Sequence, residues 1–230
     1  MGSPDRTIPV ALSARHVHLS QEHVERLFGA GHALGRSSDL SQPGQFAAVE
    51  VVEVMGPKRS IPGVRVLGPA RGESQLEISM TDGYLLGINV PVRVSGDIAG
   101  TPGAHLIGPR GAVKLERGCI CAARHIHCTP ADAQRFGVKD RQKVFARLSG
   151  MRGLILDEII VRVSENFFTE LHIDTDEGNA AGVKSGDRVE VIGSLCRDFC
   201  GREACTIRSD LGQGGSAPYC DLTATGVTIR

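Results

Sequence analysis

Apolar and polar residues alternate in short runs along most of the chain, and the runs are broken by pairs such as Gly56-Pro57, Gly68-Pro69 and Asp82-Gly83. Alternation with a period of two, bounded by turn residues, predicts short strands rather than long helices. Strands are expected over 8–13, 47–55, 60–67, 75–79, 85–94, 111–115, 142–148, 153–163 and 187–192, with 29–45 left as a loop. Helical spacing is confined to 21–28, 130–136 and a segment near 177–182. Strands spaced this closely do not suit strand–helix–strand units, so the expected class is mainly β with short α-helices. The chain reads as two β-barrel-like halves, each introduced by its own His-x-His stretch.

That stretch occurs twice. Arg15-His16-Val17-His18-Leu19-Ser20 returns as Arg124-His125-Ile126-His127-Cys128-Thr129, and the two copies hold four of the eight histidines. On a strand, each His-x-His places both imidazoles on one face, with Val17 or Ile126 on the other. After each copy comes a helix cap, Ser20 or Thr129, then a short helical run that ends at Gly29 or Gly137. Paired imidazoles on one face suit a metal ion, zinc first among them. Cys128 falls on the opposite face and reads as structural, while His23, His32 and His105 read as ordinary lone histidines.

Charge narrows the choice of partners. Twenty-six basic residues balance twenty-six acidic ones, so no overall field draws the chain to nucleic acid or to an anionic membrane. There is no apolar run of about 18 residues, and the first seven residues lack the core of a signal peptide, so the expectation is a cytoplasmic protein. Seven cysteines without a regular framework fit reduced thiols. Residues 194–230 read as a flexible Cys/Gly-rich tail, in which Cys196, Cys200 and Cys205 lack the paired spacing of a zinc knuckle.

Two imidazoles leave a metal short of a third protein ligand. Leu171-His172-Ile173-Asp174 offers a histidine on a strand-like segment, and Gln75-Leu76-Glu77-Ile78-Ser79 offers a carboxylate six residues after Arg71. Each also has a bland reading, Glu77 as a solvent-facing strand residue and Arg71 as a turn cation.

Gly68-Pro69-Ala70-Arg71, Gln75 to Ser79, the two His-x-His copies and Leu171 to Ala181 together resemble the zinc-dependent phosphotransacylases of the propanediol-utilisation type, over about 8–193. The resemblance implies two β-barrels capped by short helices, one formed by 5–14 with 123–193 and the other by 15–122. It implies two zinc ions, one held by His16, His18 and Glu77 and the other by His125, His127 and His172, with Arg71 holding phosphate. Ser13, Arg15 and Arg124 are expected beside the substrate. Acyl-CoA, phosphate and CoA are the implied reactants and a homodimer the implied assembly. Met80 stands where a basic residue is expected to meet the coenzyme, and the N-terminal extension of microcompartment members has no counterpart here.

The implied reaction converts a short-chain acyl-CoA, propanoyl or acetyl, and phosphate reversibly to acyl phosphate and CoA by direct attack of phosphate. The competing readings are a dinuclear zinc thioester hydrolase, using the acidic run Asp174 to Glu177, and a non-enzymatic zinc-stabilised β-barrel interaction module.

Overall fold

The computed structural model describes residues 5–192, so the cysteine-containing tail lies outside the described residues. Strands β1 (Thr7–Ser13) and β2 (His16–Ser20) lead into helix α1 (Gln21–Phe28). Next come β3 (Arg36–Asp39), β4 (Phe46–Met55), β5 (Ser60–Arg71), β6 (Gln75–Glu77) and α2 (Met80–Leu86). Then follow β7 (Val92–Arg93), β8 (Ala104–Ile107), β9 (Ala112–Leu115), β10 (Cys119–Ala122), β11 (His125–Cys128) and α3 (Pro130–Phe136). The described chain closes with β12 (Lys143–Leu148), β13 (Leu154–Val163), β14 (Glu170–Asp174), α4 (Thr175–Ala181) and β15 (Arg188–Ile192). No helix among the described residues is long and apolar enough to cross a membrane.

The fold is mainly β with short helices, as the alternation predicts. Six strands form a closed barrel in the order β1-β14-β11-β13-β12-β15, with β15 pairing back onto β1. The other nine form a curled sheet in the order β7-β10-β6-β2-β5-β4-β8-β9, with β3 joined to β4. Each encloses its own apolar core. Ile126, Leu148, Ile159 and Leu171 pack inside the barrel, and Val17, Leu27, Leu76 and Leu106 pack under the curled sheet. Fully burying one such side chain contributes about 1.5–3 kcal/mol, so each unit has a driving force of its own.

The chain passes between the two units at two matching places. β1 is a barrel strand and β2 a strand of the curled sheet, with Ala14 and Arg15 between them. β10 belongs to the curled sheet and β11 to the barrel, with Ala123 and Arg124 between them. Both His-x-His strands therefore begin at the seam.

The helices after these strands form as the caps predict. The Ser20 hydroxyl accepts the His23 N–H, and the Thr129 hydroxyl accepts the Asp132 N–H with Pro130 in the first turn. Gly137 ends α3 in the left-handed region at φ 67, whereas Gly29 ends α1 at φ 120 with its N–H on the Glu25 carbonyl.

Two local expectations are corrected. Residues 85–94 do not form one strand, because helix α2 occupies Met80–Leu86 and only Val92–Arg93 pair. The Ser79 side chain caps the Asp82 N–H and Gly87 ends the helix in the left-handed region, a start and a stop that outweigh the alternating apolar residues. The expected loop at 29–45 also contains β3, which is exposed throughout and so carries no apolar alternation to betray it.

Gly68 on β5 lies opposite Phe46 on β4. A Cβ at Gly68 would stand 2.2–2.7 Å from three carbons of the Phe46 ring. Gly68→Ala is therefore expected to destabilise the protein by about 1–3 kcal/mol through overpacking. A lowered denaturant midpoint at unchanged slope is the expected result, and an unchanged midpoint would contradict it.

Candidate metal centre and anion-binding cavity

Period two and strand register together assemble the site. His16 and His18 lie on one face of β2, and its antiparallel neighbour β6 sets Glu77 directly opposite His16. β11 carries His125 and His127, and its antiparallel neighbour β14 sets His172 opposite His125. Each trio offers three ligand atoms within 4.8 Å of one another. Both trios and Arg71 line one cavity of about 530 Å³ between the barrel and the curled sheet, a size suited to a small-molecule substrate. The seven residues expected as metal ligands and phosphate anchor are thus brought together.

The hydrogen bonds decide which ring nitrogens are free. A carbonyl only accepts, so the His16 Nδ1–H donates to the Ala14 oxygen at 2.8 Å and the His125 Nδ1–H to the Ala123 oxygen at 2.9 Å. Both rings then keep a lone pair on Nε2. The complementary atoms on the second histidines, His18 Nδ1 and His127 Nδ1, are buried and have no hydrogen-bond partner. A buried polar atom left unmet costs about 1–3 kcal/mol. Each histidine still offers one ring nitrogen as a ligand, and three donors within 4.8 Å of one another fit zinc, for which three protein ligands and one open position make a reactive site.

Electrostatics agrees with that fit. Burial, with the neighbouring His16 and Arg71, lowers the His18 imidazole to about 3. Burial and His172 lower His125 to about 4, and the same two causes with His125 lower His127 to about 2. All three are neutral near pH 7, the form that binds metal. Burial pushes the Glu77 carboxyl up, but His16, His18, the Ser95 hydroxyl and Arg71 outweigh it and hold the group below its usual range. Glu77 Oε1 accepts the Gln75 amide at 2.6 Å and Ser95 Oγ at 2.8 Å, and Oε2 lies 3.6 Å from His16 Nε2.

Arg71 sits on the cavity wall with no carboxylate within ion-pair distance among the described residues. Its charged form is disfavoured by desolvation and by Arg162, and favoured by Glu77. The other two expected arginines are engaged. Arg15 meets Asp82 at 2.8 and 2.7 Å, and Arg124 meets Glu177 at 2.7 Å. Ser13 lines the cavity with its Oγ 3.5 Å from His16 Nδ1. Cys128 is fully buried in the barrel core, where burial and Asp132 raise its thiol to about 11. It is no nucleophile at neutral pH.

A family model described as phosphate propanoyltransferase matches residues 9–184. The chain belongs to that family. It is 52% identical over 187 residues to the phosphate propanoyltransferase of Thermotoga maritima, covering 80% of this chain and 89% of the relative. The phosphate propanoyltransferases of Clostridioides difficile and Listeria monocytogenes are 49% and 50% identical over 185 residues, covering 80% of this chain and 88% and 87% of theirs.

In this member of the phosphate propanoyltransferase family the cavity also holds residues that the sequence reading passed over. Arg162 on β13 lies opposite His127 and extends over the Phe167 ring, 5.7 Å from its centre, while Phe167 itself stacks on His127 at 4.2 Å. Gln42 and Phe167 line the cavity too. A charged residue in the apolar stretch Ile159-Ile160-Val161-Arg162-Val163 was the available signal for Arg162. The loop residue Gln42 carried none.

The three depressed imidazoles make the protein, free of any metal, sensitive to acid. Below the free-imidazole value of 6.5 the unfolded chain takes up protons at His18, His125 and His127, while the folded chain does not until about 4 or lower. This part of the stability is complete above 6.5 and is lost as pH falls through that window. Calorimetry in chelator should show Tm falling between about pH 6.5 and 4.5, before carboxylates titrate. A flat Tm across that range would contradict the burial of these rings.

Proposed function

We propose that the protein transfers a short-chain acyl group, propanoyl or acetyl, reversibly between coenzyme A and phosphate at a site of two zinc ions. His16, His18 and Glu77 would hold one ion and His125, His127 and His172 the other. The observation that carries this reading is the pair of three-donor groups, His16/His18/Glu77 and His125/His127/His172, lining one cavity that also holds two arginines without carboxylate partners among the described residues. Zinc bound there would supply Lewis-acid charge beside the thioester carbonyl and a soft partner for the departing sulfur.

The chain's own groups do the rest. Arg71 and Arg162 hold the phosphate dianion by charge-assisted hydrogen bonds, one from each half of the molecule. Holding it beside the thioester converts a bimolecular encounter into an oriented one. The phosphate oxygen forms the new bond to the acyl carbon, the carbon–sulfur bond breaks, and the phosphate proton passes to the thiolate. Leu40, Leu67, Ile78 and Ile173 give the cavity apolar wall for the acyl chain and limit access of water. No serine or cysteine nucleophile is required.

The hydrolase alternative draws no support from the acidic run. Asp174 caps α4 with a reciprocal bond to Glu177 and accepts the Cys121 thiol, and Asp176 accepts the Thr81 N–H. These carboxylates serve a helix start and neighbouring loops.

The test is CoA release from propanoyl-CoA and acetyl-CoA with and without phosphate. Release should require phosphate and yield acyl phosphate; release without phosphate would favour hydrolysis and sink the transferase reading. Arg71→Ala and Arg162→Ala should each raise the phosphate KM about 10–100-fold, the equivalent of one charge-assisted hydrogen bond, with a smaller change in the acyl-CoA KM. An unchanged phosphate KM would remove that arginine from the phosphate site.

A further inference from the structure

Glu170 is not one of the six donor residues, yet it touches one of them. Its Oε1 accepts the His172 Nε2–H at 2.8 Å, the Gln42 amide at 2.6 Å and the Ser41 hydroxyl. Only 3% of Glu170 and 4% of Gln42 is exposed. The Gln42 amide also donates to the Phe168 carbonyl at 2.9 Å, and its oxygen accepts the Phe168 N–H at 3.3 Å. A carboxylate on a barrel strand is thereby joined to the loop that enters β4 of the curled sheet.

Register gives this contact its meaning. Glu170 and His172 are two residues apart on β14, opposite His127 and His125. The same pattern recurs in the other trio, where Gln75 and Glu77 are two residues apart on β6, opposite His18 and His16. The chemistry at the supporting position is matched to the donor it touches. The Glu77 carboxylate is met by an amide that donates, Gln75 Nε2 at 2.6 Å. The His172 imidazole is met by a carboxylate that accepts. A carboxylate on one ring nitrogen fixes the tautomer, places the lone pair on the other nitrogen and raises its basicity toward a metal.

We propose that Glu170 is the positioning residue for a divalent metal ion at His125, His127 and His172. It holds His172 as the Nε2–H tautomer and so presents Nδ1 to the ion. Ser41 and Gln42 hold Glu170 in turn, which couples this ion to the loop at 40–45. The proposal rests on the two-metal reading above and goes beyond it, because it assigns a role to a residue that would touch neither ion nor substrate.

Cobalt(II) titration followed by its d–d absorption tests this without any assay of activity. The wild-type protein should bind two ions, and His172→Ala should lose one of them. Glu170→Ala should keep both sites but weaken only the one lost in His172→Ala, about 10–100-fold, with an altered spectrum for that ion. Glu170→Gln, whose amide oxygen still accepts the Nε2–H, should recover part of that affinity. Should Glu170→Ala fail to fold, the double variant Ser41→Ala/Gln42→Ala retains every donor and should weaken the same site. Two ions bound by Glu170→Ala with wild-type affinity and spectrum would overturn the role of Glu170 and leave the two-metal reading standing. No binding by the wild-type protein would overturn both.

Discussion

Crowding neutral imidazoles below the surface is the constraint on which the rest of this structure depends. Protonating His18, His125 or His127 is opposed first by burial and then by adjacent rings or cations. Two of these rings also keep a nitrogen with no partner inside the protein. Together they carry a penalty of about 2–6 kcal/mol by the usual cost of an unmet polar atom, a large share of a typical domain's stability. Hydrophobic cores on both sides must hold the rings in place against that penalty, which accounts for Val17 and Ile126, each fully buried between its two histidines.

The site falls where it does because the chain changes sheets there. Each crossing is an Ala-Arg dipeptide, and each of its residues has a structural task. The alanine carbonyl takes the Nδ1–H of the first histidine and so sets which nitrogen faces the cavity. The arginine is anchored by a carboxylate near a helix start, Asp82 of α2 or Glu177 of α4. In that engagement a phosphate would have to displace a carboxylate at 2.7 Å to reach either guanidinium. Arg71 and Arg162 face no such competitor among the described residues, which separates the arginines that hold the seam from those able to hold an anion.

What could be read from the sequence divides along the same physical lines. Period-two alternation is local, so the strands and the common face of each His-x-His pair were legible, and so were the capped helices that follow. The third donors were legible only as candidates, because Glu77 and His172 gain their meaning from register across strands, which no local pattern states. Resemblance to known phosphotransacylases is what turned those candidates, and Arg71, into an expected ligand set and phosphate anchor. Helix α2 was missed because its cap, Ser79 with Asp82, lies in a stretch rich in strand-forming residues. Arg162 and Glu170 were missed for another reason. Each sits two residues from, or directly opposite, a recognised donor, yet their roles depend on what the partner strand or loop brings to them.

The balance of charge in the cavity gives the arrangement its direction. The carboxylates on the cavity wall already have partners, Glu77 in Gln75 and Ser95 and Asp174 in the Glu177 N–H and the Cys121 thiol, and Glu170 beside His172 is held by Ser41, Gln42 and that ring. Glu77 takes both of its bonds on Oε1, which leaves Oε2, 3.6 Å from His16 Nε2, to an ion held with His16 and His18. The two arginines, by contrast, meet no carboxylate within ion-pair distance among the described residues: Arg71 feels Arg162's repulsion and Glu77's attraction, and Arg162 lies over the Phe167 ring. Neutral imidazoles add no charge of their own, so a divalent ion held by His125, His127 and His172 would add its full charge to a cavity that already holds two arginines without carboxylate partners among the described residues. In a water-poor cleft such a field strengthens contacts to anions, and most of all to an oxygen on which negative charge develops during acyl transfer. Acyl transfer to phosphate presents both kinds of anion in one step, and a cavity with satisfied carboxylates and unsatisfied cations is suited to holding them side by side.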